Sequence, residues 1–108
     1  ARAKAEEVLP KLTREETTSL LHGSDVWPFV GNTRAIPRLG IPALKMQDAG
    51  NGFRTTFRGE AGTTTQWPCM LAMAATWDEV LVSQVVQAIG REFRRKGANV
   101  LLGPAVNV

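Results

Sequence analysis

Asp48 and Arg54 are the two side chains of this 108-residue sequence whose types and spacing best suit the binding of a ligand rich in hydroxyl groups. Asp48 ends a short alternating run and stands directly before Ala49-Gly50-Asn51-Gly52, a cluster of turn-forming residues. Its carboxylate can accept two hydrogen bonds at once, which suits neighbouring sugar hydroxyls, and Arg54 supplies a fork of donors that stays charged. An acidic residue at the end of a strand, beside a glycine turn, lies where α/β barrels have their active sites.

The same pair also has a purely structural interpretation. Asp48 would then bind the backbone of its own turn, and Arg54 would be its ion partner on the surface. Local physics favours this interpretation, because aspartate before a glycine-rich turn is common in proteins of every function. Both interpretations stay open at this level.

Other chemistry is poorly supported by the sequence. A single cysteine, Cys69, and a single histidine, His22, cannot form a Cys/His metal cluster, and Cys69 is predicted to be a small buried apolar residue. Gly50-Asn51-Gly52 begins like a dinucleotide-binding fingerprint, but Thr55 stands where the third glycine is required. We therefore predict no metal and no organic cofactor.

Two further groups of residues have ordinary structural explanations. A basic cluster without interleaved aromatic residues is typical of the last turn of a helix, so no nucleic-acid partner is expected. Three tryptophans could line a flat platform on which a sugar ring stacks, but each of them is more typical of a hydrophobic core. The basic residues are Arg91, Arg94, Arg95 and Lys96, and the tryptophans are Trp27, Trp67 and Trp77.

Composition restricts the sequence to ordinary globular classes. Hydrophobic residues make up 44%, charged residues 21%, and the formal net charge is +3. The longest apolar run, Cys69 to Ala75, is far shorter than the roughly 18–20 residues that cross a bilayer. The length permits one core but falls far below the about 250 residues of a complete α/β barrel.

Two helices have clear start signals. Thr13-Arg14-Glu15-Glu16 has the spacing of a capping box and predicts a helix from about Arg14 to Leu21. Thr76-Trp77-Asp78-Glu79 has the same spacing and predicts a longer helix over 77–97. That helix would carry one apolar stripe at helical spacing, formed by Val82, Val85, Val86, Ile89 and Phe93.

Strands are predicted on both sides of the long helix. Leu44–Gln47 alternates, and Asn99–Leu102 is apolar and follows the helix directly. The apolar run Trp67–Ala75 is predicted as a short buried strand, although periodicity alone does not distinguish strand from helix there. An apolar strand after a long amphipathic helix indicates a parallel α/β fold.

Short blocks of the sequence extend over nearly the whole chain: Leu12–Glu16 with His22-Gly23, Pro37–Pro42, Leu44–Arg54, Trp67-Pro68, Ala74–Asp78, Gly90–Glu92 and Lys96–Pro104. In their order and spacing, these blocks resemble the N-terminal part of glycoside hydrolase family 3, which includes the retaining β-glucosidases. One departure is Ala49-Gly50, where many members have Gly-Pro.

The resemblance implies an incomplete N-terminal portion of a (β/α)8 barrel. Residues 1–42 would be N-terminal helices and a loop, and residues 43–108 the first barrel strands and a helix. The resemblance also implies that Asp48 holds sugar hydroxyls in the −1 subsite and that Arg54 lines the same pocket, which reverses the local preference for a structural role.

The activity that the resemblance implies is hydrolysis of terminal, non-reducing β-D-glucosyl residues with retention. The family's nucleophilic Asp lies in a Ser-Asp-Trp-like motif that this sequence lacks, so the catalytic carboxylates are expected in the remainder of its own polypeptide. The residues themselves leave the location unknown, and the resemblance favours an extracellular one. The alternatives are a β-xylosidase or β-N-acetylhexosaminidase of the same family, or a non-catalytic module that binds carbohydrate or protein.

Overall fold

A three-stranded sheet connects the middle of the chain to its C-terminal part. The computed structural model describes residues 1–24, 28–56 and 58–105. The strands are β1 (Gly31–Asn32), β2 (Lys45–Asp48) and β3 (Val100–Leu102), in the order β1-β2-β3. β2 pairs antiparallel with β1 and parallel with β3, which confirms the predicted parallel α/β arrangement.

Asn99 fixes the register of the parallel pair. Its side-chain Oδ1 accepts a hydrogen bond from the Lys45 backbone N–H at 2.7 Å, and its Nδ2 donates to the Ala43 carbonyl at 2.9 Å. The resulting register brings Asp48 opposite Leu102, so that both strands end at the same edge of the sheet.

Two helices, α1 (Arg2–Val8) and α2 (Arg14–His22), precede the sheet. The capping box at Thr13 is confirmed: Thr13 Oγ1 accepts from the Glu16 N–H at 3.2 Å, and Glu16 Oε2 accepts from the Thr13 N–H at 2.9 Å. Gly23, with φ of 73°, follows the last residue of α2. Short 3-10 turns occur at Leu9–Lys11, Pro37–Leu39 and Arg58–Glu60.

The long helix α4 (Glu79–Arg95) forms as predicted but starts differently. Asp78 is the N-cap and accepts from the Leu81 N–H at 2.9 Å, so the capping box predicted at Thr76 is wrong. Aspartate caps as well as threonine does, and the Thr76 hydroxyl instead donates to the Met73 carbonyl at 2.7 Å. Ile89 and Phe93 of the predicted stripe are buried, whereas Val86 is 48% exposed.

The strand predicted over Trp67–Ala75 is absent. Its second half is instead a short helix, α3 (Met70–Ala74). Leucine, methionine and alanine favour helix, and the run contains no β-branched residue that would favour a strand. The prediction of a buried Cys69 is also wrong, because this residue is exposed immediately before α3.

A small core forms where the turn after β2 packs on α4. The Phe53 and Phe93 rings meet edge to face, with centroids 5.0 Å apart. Phe29, Trp67, Met70 and Val85 pack around this cluster and remain partly accessible. The buried members are Ala49, Phe53, Ile89, Phe93 and Ala98.

Outside that core, much apolar surface is uncovered. Large apolar side chains are exposed on α3, α4 and β3, and the radius of gyration is 17.0 Å, against about 13 Å for a compact domain of this length. Within the three described ranges, no helix combines the length and apolar character that crossing a bilayer requires. The exposed side chains include Leu71, Val80, Leu81, Val86, Leu101 and Leu102.

Candidate functional site

Asp48 and Arg54 are brought together at the carboxyl end of β2. Arg54 Nη1 donates to Asp48 Oδ2 at 2.5 Å, and the Arg54 backbone N–H donates to the Asp48 carbonyl at 3.3 Å. The Asp48 side chain is 41% exposed, and within the described part of the chain its Oδ1 accepts no hydrogen bond. The carboxylate is therefore oriented through one oxygen, and its other oxygen has no hydrogen-bond partner among the described residues.

The apolar residues of the turn between Asp48 and Arg54 hold it in place by packing into the core. Ala49 and Phe53 are buried in the core, whereas Arg54 is exposed and Asp48 half-buried. Gly52 has φ of 106°, and a Cβ at this position would lie 2.6 Å from Trp67 Cδ1. Only glycine fits this position without displacing its neighbours, because both the backbone conformation and the close approach exclude a larger residue.

Gln47 is a site residue that the sequence analysis missed. It is fully buried, its Oε1 accepts from the Val30 N–H at 2.9 Å, and its Nε2 donates to the Arg54 carbonyl. The side chain thus positions the backbone of Arg54 and attaches the segment before β1 to β2. The alternating run gave no signal for its burial, because Gln47 lies on the face opposite Leu44 and Met46.

Asp48 and Arg54 lie on an accessible edge of the sheet. Neither residue lines the cavity of about 700 Å³ beside α2 or the cavity of about 540 Å³ between α4 and the segment 63–67.

The remaining candidates have structural positions. His22 is exposed at the end of α2, and Trp67 packs against the core as predicted. Trp77 is 93% exposed, which makes its assignment to the core wrong, and Trp27 lies outside the described residues. Among the described residues, no three His, Cys, Asp or Glu side chains are grouped so that they could hold a metal ion.

Comparison with known proteins agrees with this architecture. The model of the glycosyl hydrolase family 3 N terminal domain matches residues 17–108. In the solved structure of β-glucosidase 3B from Thermotoga neapolitana in complex with glucose, the matching region has a TM-score of 0.78 and 35% identity. That match covers 97% of this chain and 17% of the Thermotoga chain. This chain therefore has the mixed helix-and-strand fold that is found in the N-terminal region of these β-glucosidases.

Curated relatives extend the match. A probable β-glucosidase M of Aspergillus fumigatus is 43% identical over 107 residues, and a β-glucosidase of Rhizobium radiobacter is 40% identical over 104 residues. The alignments cover 98% and 95% of this chain but only 13% and 12% of those proteins. The chain belongs to glycosyl hydrolase family 3, which confirms the resemblance found in the sequence.

Proposed function

We propose that this chain supplies part of the −1 sugar subsite of a retaining β-glucosidase that hydrolyses terminal, non-reducing β-D-glucosyl residues. The observation that carries the proposal is the half-exposed Asp48 carboxylate at the carboxyl end of β2, held through Oδ2 by Arg54, with no hydrogen bond to Oδ1 from the described residues. The three relatives described above are named β-glucosidase or probable β-glucosidase, and these names supply the reaction.

The geometry of the pair suits sugar hydroxyls. A hydroxyl donates to a carboxylate oxygen in a charge-assisted hydrogen bond, which is stronger than a bond between neutral groups. Arg54 fixes the carboxylate beforehand, so that binding the sugar does not require the side chain to be ordered again. Hydrogen bonds to sugar hydroxyls that strengthen in the transition state lower the barrier to glycosidic cleavage.

The bond-breaking groups are assigned to additional polypeptide. In the retaining reaction, one carboxylate attacks the anomeric carbon while a second protonates the departing glycosidic oxygen. Water, deprotonated by the second group, then cleaves the glycosyl–enzyme ester. Asp78 is excluded from these roles because its side chain caps α4.

We further propose that the chain is the first part of a (β/α)8 barrel, with residues 1–42 as its N-terminal helices and loop and 43–108 as its first strands and helix. The supporting observation is the order β2, α4, β3, with the two strands parallel and adjacent. The uncovered apolar side chains of α4 and β3 would pack against the remaining barrel. Extracellular location and independence from cofactors also stay predictions.

Kinetics of Asp48→Asn in the full-length enzyme test the proposal. Loss of the charged acceptor should lower kcat/KM by about 100-fold, with a rise in KM and a fall in kcat, because hydrogen bonds to charged groups contribute about 1.5–3 kcal/mol each. Asp78→Asn is the matched control, since asparagine also caps helices well and should leave kcat/KM unchanged. Wild-type kinetics for Asp48→Asn would remove this residue from the site.

A panel of substrates tests which sugar the full-length enzyme releases. Chromogenic β-glucoside, β-xyloside and β-N-acetylglucosaminide are compared with the full-length enzyme, together with the α-glucoside. Highest kcat/KM for the β-glucoside supports the proposal. Highest kcat/KM for the β-xyloside or the β-N-acetylglucosaminide would indicate another activity of the same family, and sugar binding without turnover would indicate a non-catalytic module.

A further inference from the structure

The C-terminal end of α4 contacts the segment 63–67 at two points, through Glu92 on the helix and through Lys96, which caps it. Glu92 Oε1 accepts from the Thr65 backbone N–H at 2.9 Å, and Lys96 Nζ donates to Thr63 Oγ1 at 2.8 Å. Glu92 and Lys96 are four residues apart and therefore lie on one face of the helix. The segment 63–67 has no regular secondary structure of its own, and these side chains help to hold it, together with hydrogen bonds from Thr63 to the Glu60 carbonyl.

That segment in turn supports the turn of the sugar site. The Trp67 backbone N–H donates to the Asn51 carbonyl at 3.1 Å, and the Trp67 indole packs against Gly52. Lys96 also reaches the turn directly, because its Nζ lies 5.4 Å from the centre of the Phe53 ring. A continuous path of contacts thus runs from α4 through the segment 63–67 to the turn that ends at Arg54.

Two buried polar atoms lie where α4 meets the segment 63–67. Glu92 Oε2 and Trp67 Nε1 are buried, and among the described residues neither has a hydrogen-bond partner. Both residues line the 540 Å³ cavity between α4 and the segment. Among the described residues, the one hydrogen bond of the Glu92 side chain is therefore the one that holds the segment at Thr65.

We propose that Glu92 and Lys96 are positioning residues for the glucosyl site. By holding the segment 63–67 against the turn, they keep Asp48 and Arg54 in the orientation that receives the sugar. This inference rests on the proposed function of that pair. It gives the C-terminal end of α4 a role in substrate binding in addition to its role in packing. A displacement of about 1 Å at a binding group is enough to reduce activity strongly.

The test compares Glu92→Leu, Glu92→Gln and Lys96→Met in the full-length enzyme. We expect Glu92→Leu to lower kcat/KM by about 10-fold, measured well below the melting temperature and expressed per folded enzyme. Glu92→Gln keeps an oxygen acceptor for the Thr65 N–H and should stay within about twofold of wild type. Lys96→Met keeps the apolar stem, loses the Thr63 hydrogen bond, and should lower kcat/KM less than Glu92→Leu does.

Arg91→Ala is the matched control, because Arg91 is exposed and lines the same cavity but makes no hydrogen bond to the segment among the described residues. It should leave kcat/KM unchanged. The inference is overturned if Glu92→Leu keeps wild-type kcat/KM, whether or not its melting temperature falls, or if Glu92→Gln loses as much activity as Glu92→Leu. If Glu92→Leu does not fold, Lys96→Met decides: unchanged kcat/KM overturns the inference.

Asp48→Asn measured in parallel separates the two proposals. Unchanged kinetics for Asp48→Asn would contradict the proposed function itself. A strong effect of Asp48→Asn combined with wild-type kinetics for the Glu92 and Lys96 variants would contradict only the positioning role.

Discussion

The turn after β2 and the N-terminal helices are attached to the protein by different physical means. Ala49 and Phe53 of the turn are buried against Ile89 and Phe93 of α4. In α1 and α2 no residue is buried. Arg38 instead holds this region: its Nε donates to Glu16 Oε1 at 2.8 Å, and its Nη2 donates to Glu16 Oε2 and to the Lys11 carbonyl.

The difference shows which part of the chain can keep a binding geometry. Packed apolar side chains resist displacement, and salt does not weaken them. Exposed ion pairs are screened by salt and contribute little to stability. The candidate sugar-binding pair lies on the packed region, so the two regions should respond differently to mutation, salt and pH.

Phe93→Ala should have the largest effect on stability. Removing a buried aromatic ring that packs edge to face on Phe53 should lower the free energy of unfolding by about 3–5 kcal/mol. Denaturant unfolding of the full-length enzyme measures this loss. Leu21→Ala in α2 is the comparison, since this side chain is 83% exposed and should cost under about 0.5 kcal/mol. Equal losses in the two variants would remove the contrast between the regions.

Gly52→Ala should have the next largest effect. Its positive φ and the close approach of Trp67 should cost about 1–3 kcal/mol, and the displaced turn should lower kcat/KM. Gly50→Ala is the control within the same turn, because an added Cβ there meets open space. Stability and kinetics are measured for both variants. Equal behaviour of the two would show that the turn is not constrained at Gly52.

Glu16→Gln should have the smallest effect, and the effect should depend on pH. The hydrogen bond from Arg38 is the main cause that holds the pKa of Glu16 below its usual value, and the Thr13 backbone N–H adds to it. Because the folded pKa lies below the unfolded one, the contribution of the charged Glu16 is complete above the usual pKa. It is lost as pH falls through the lowered value.

The measurement is the difference in melting temperature between wild type and Glu16→Gln. Glutamine preserves the capping box, so the comparison isolates the charge. The difference should be present at neutral pH and should shrink as pH falls below about 4. It should also shrink with added salt. A difference that stays constant from neutral to acid pH would show that the ion pair does not contribute.

Local signals made much of the fold predictable. The capping box at Thr13 and the burial of Ile89 and Phe93 on α4 are confirmed, because both depend on residues within a few helical turns, whereas Val86 of the predicted stripe is exposed. The pairing of β2 with β3 followed from a strand after an amphipathic helix. The run Trp67–Ala75 was misassigned, because a short apolar segment has no period that separates strand from helix.

The site residues likewise fall into those that the sequence could predict and those that it could not. Asp48 and Arg54 are six residues apart on one turn, so the sequence predicted their proximity, which the structure shows. Gln47 contacts Val30, 17 residues away, and Glu92 contacts Thr65, 27 residues away. No local pattern encodes such contacts, since they arise only when distant segments pack together. The supporting residues therefore became visible only in the structure.

The role of Asp48 is best decided by a crystal structure of the full-length enzyme with bound glucose. We expect Asp48 to accept a hydrogen bond from a glucose hydroxyl at about 2.6–3.0 Å, while Arg54 still holds the other oxygen of the carboxylate. A glucose molecule in the active site with Asp48 turned away from it, and with no sugar hydroxyl within hydrogen-bond distance, would exclude Asp48 from sugar binding.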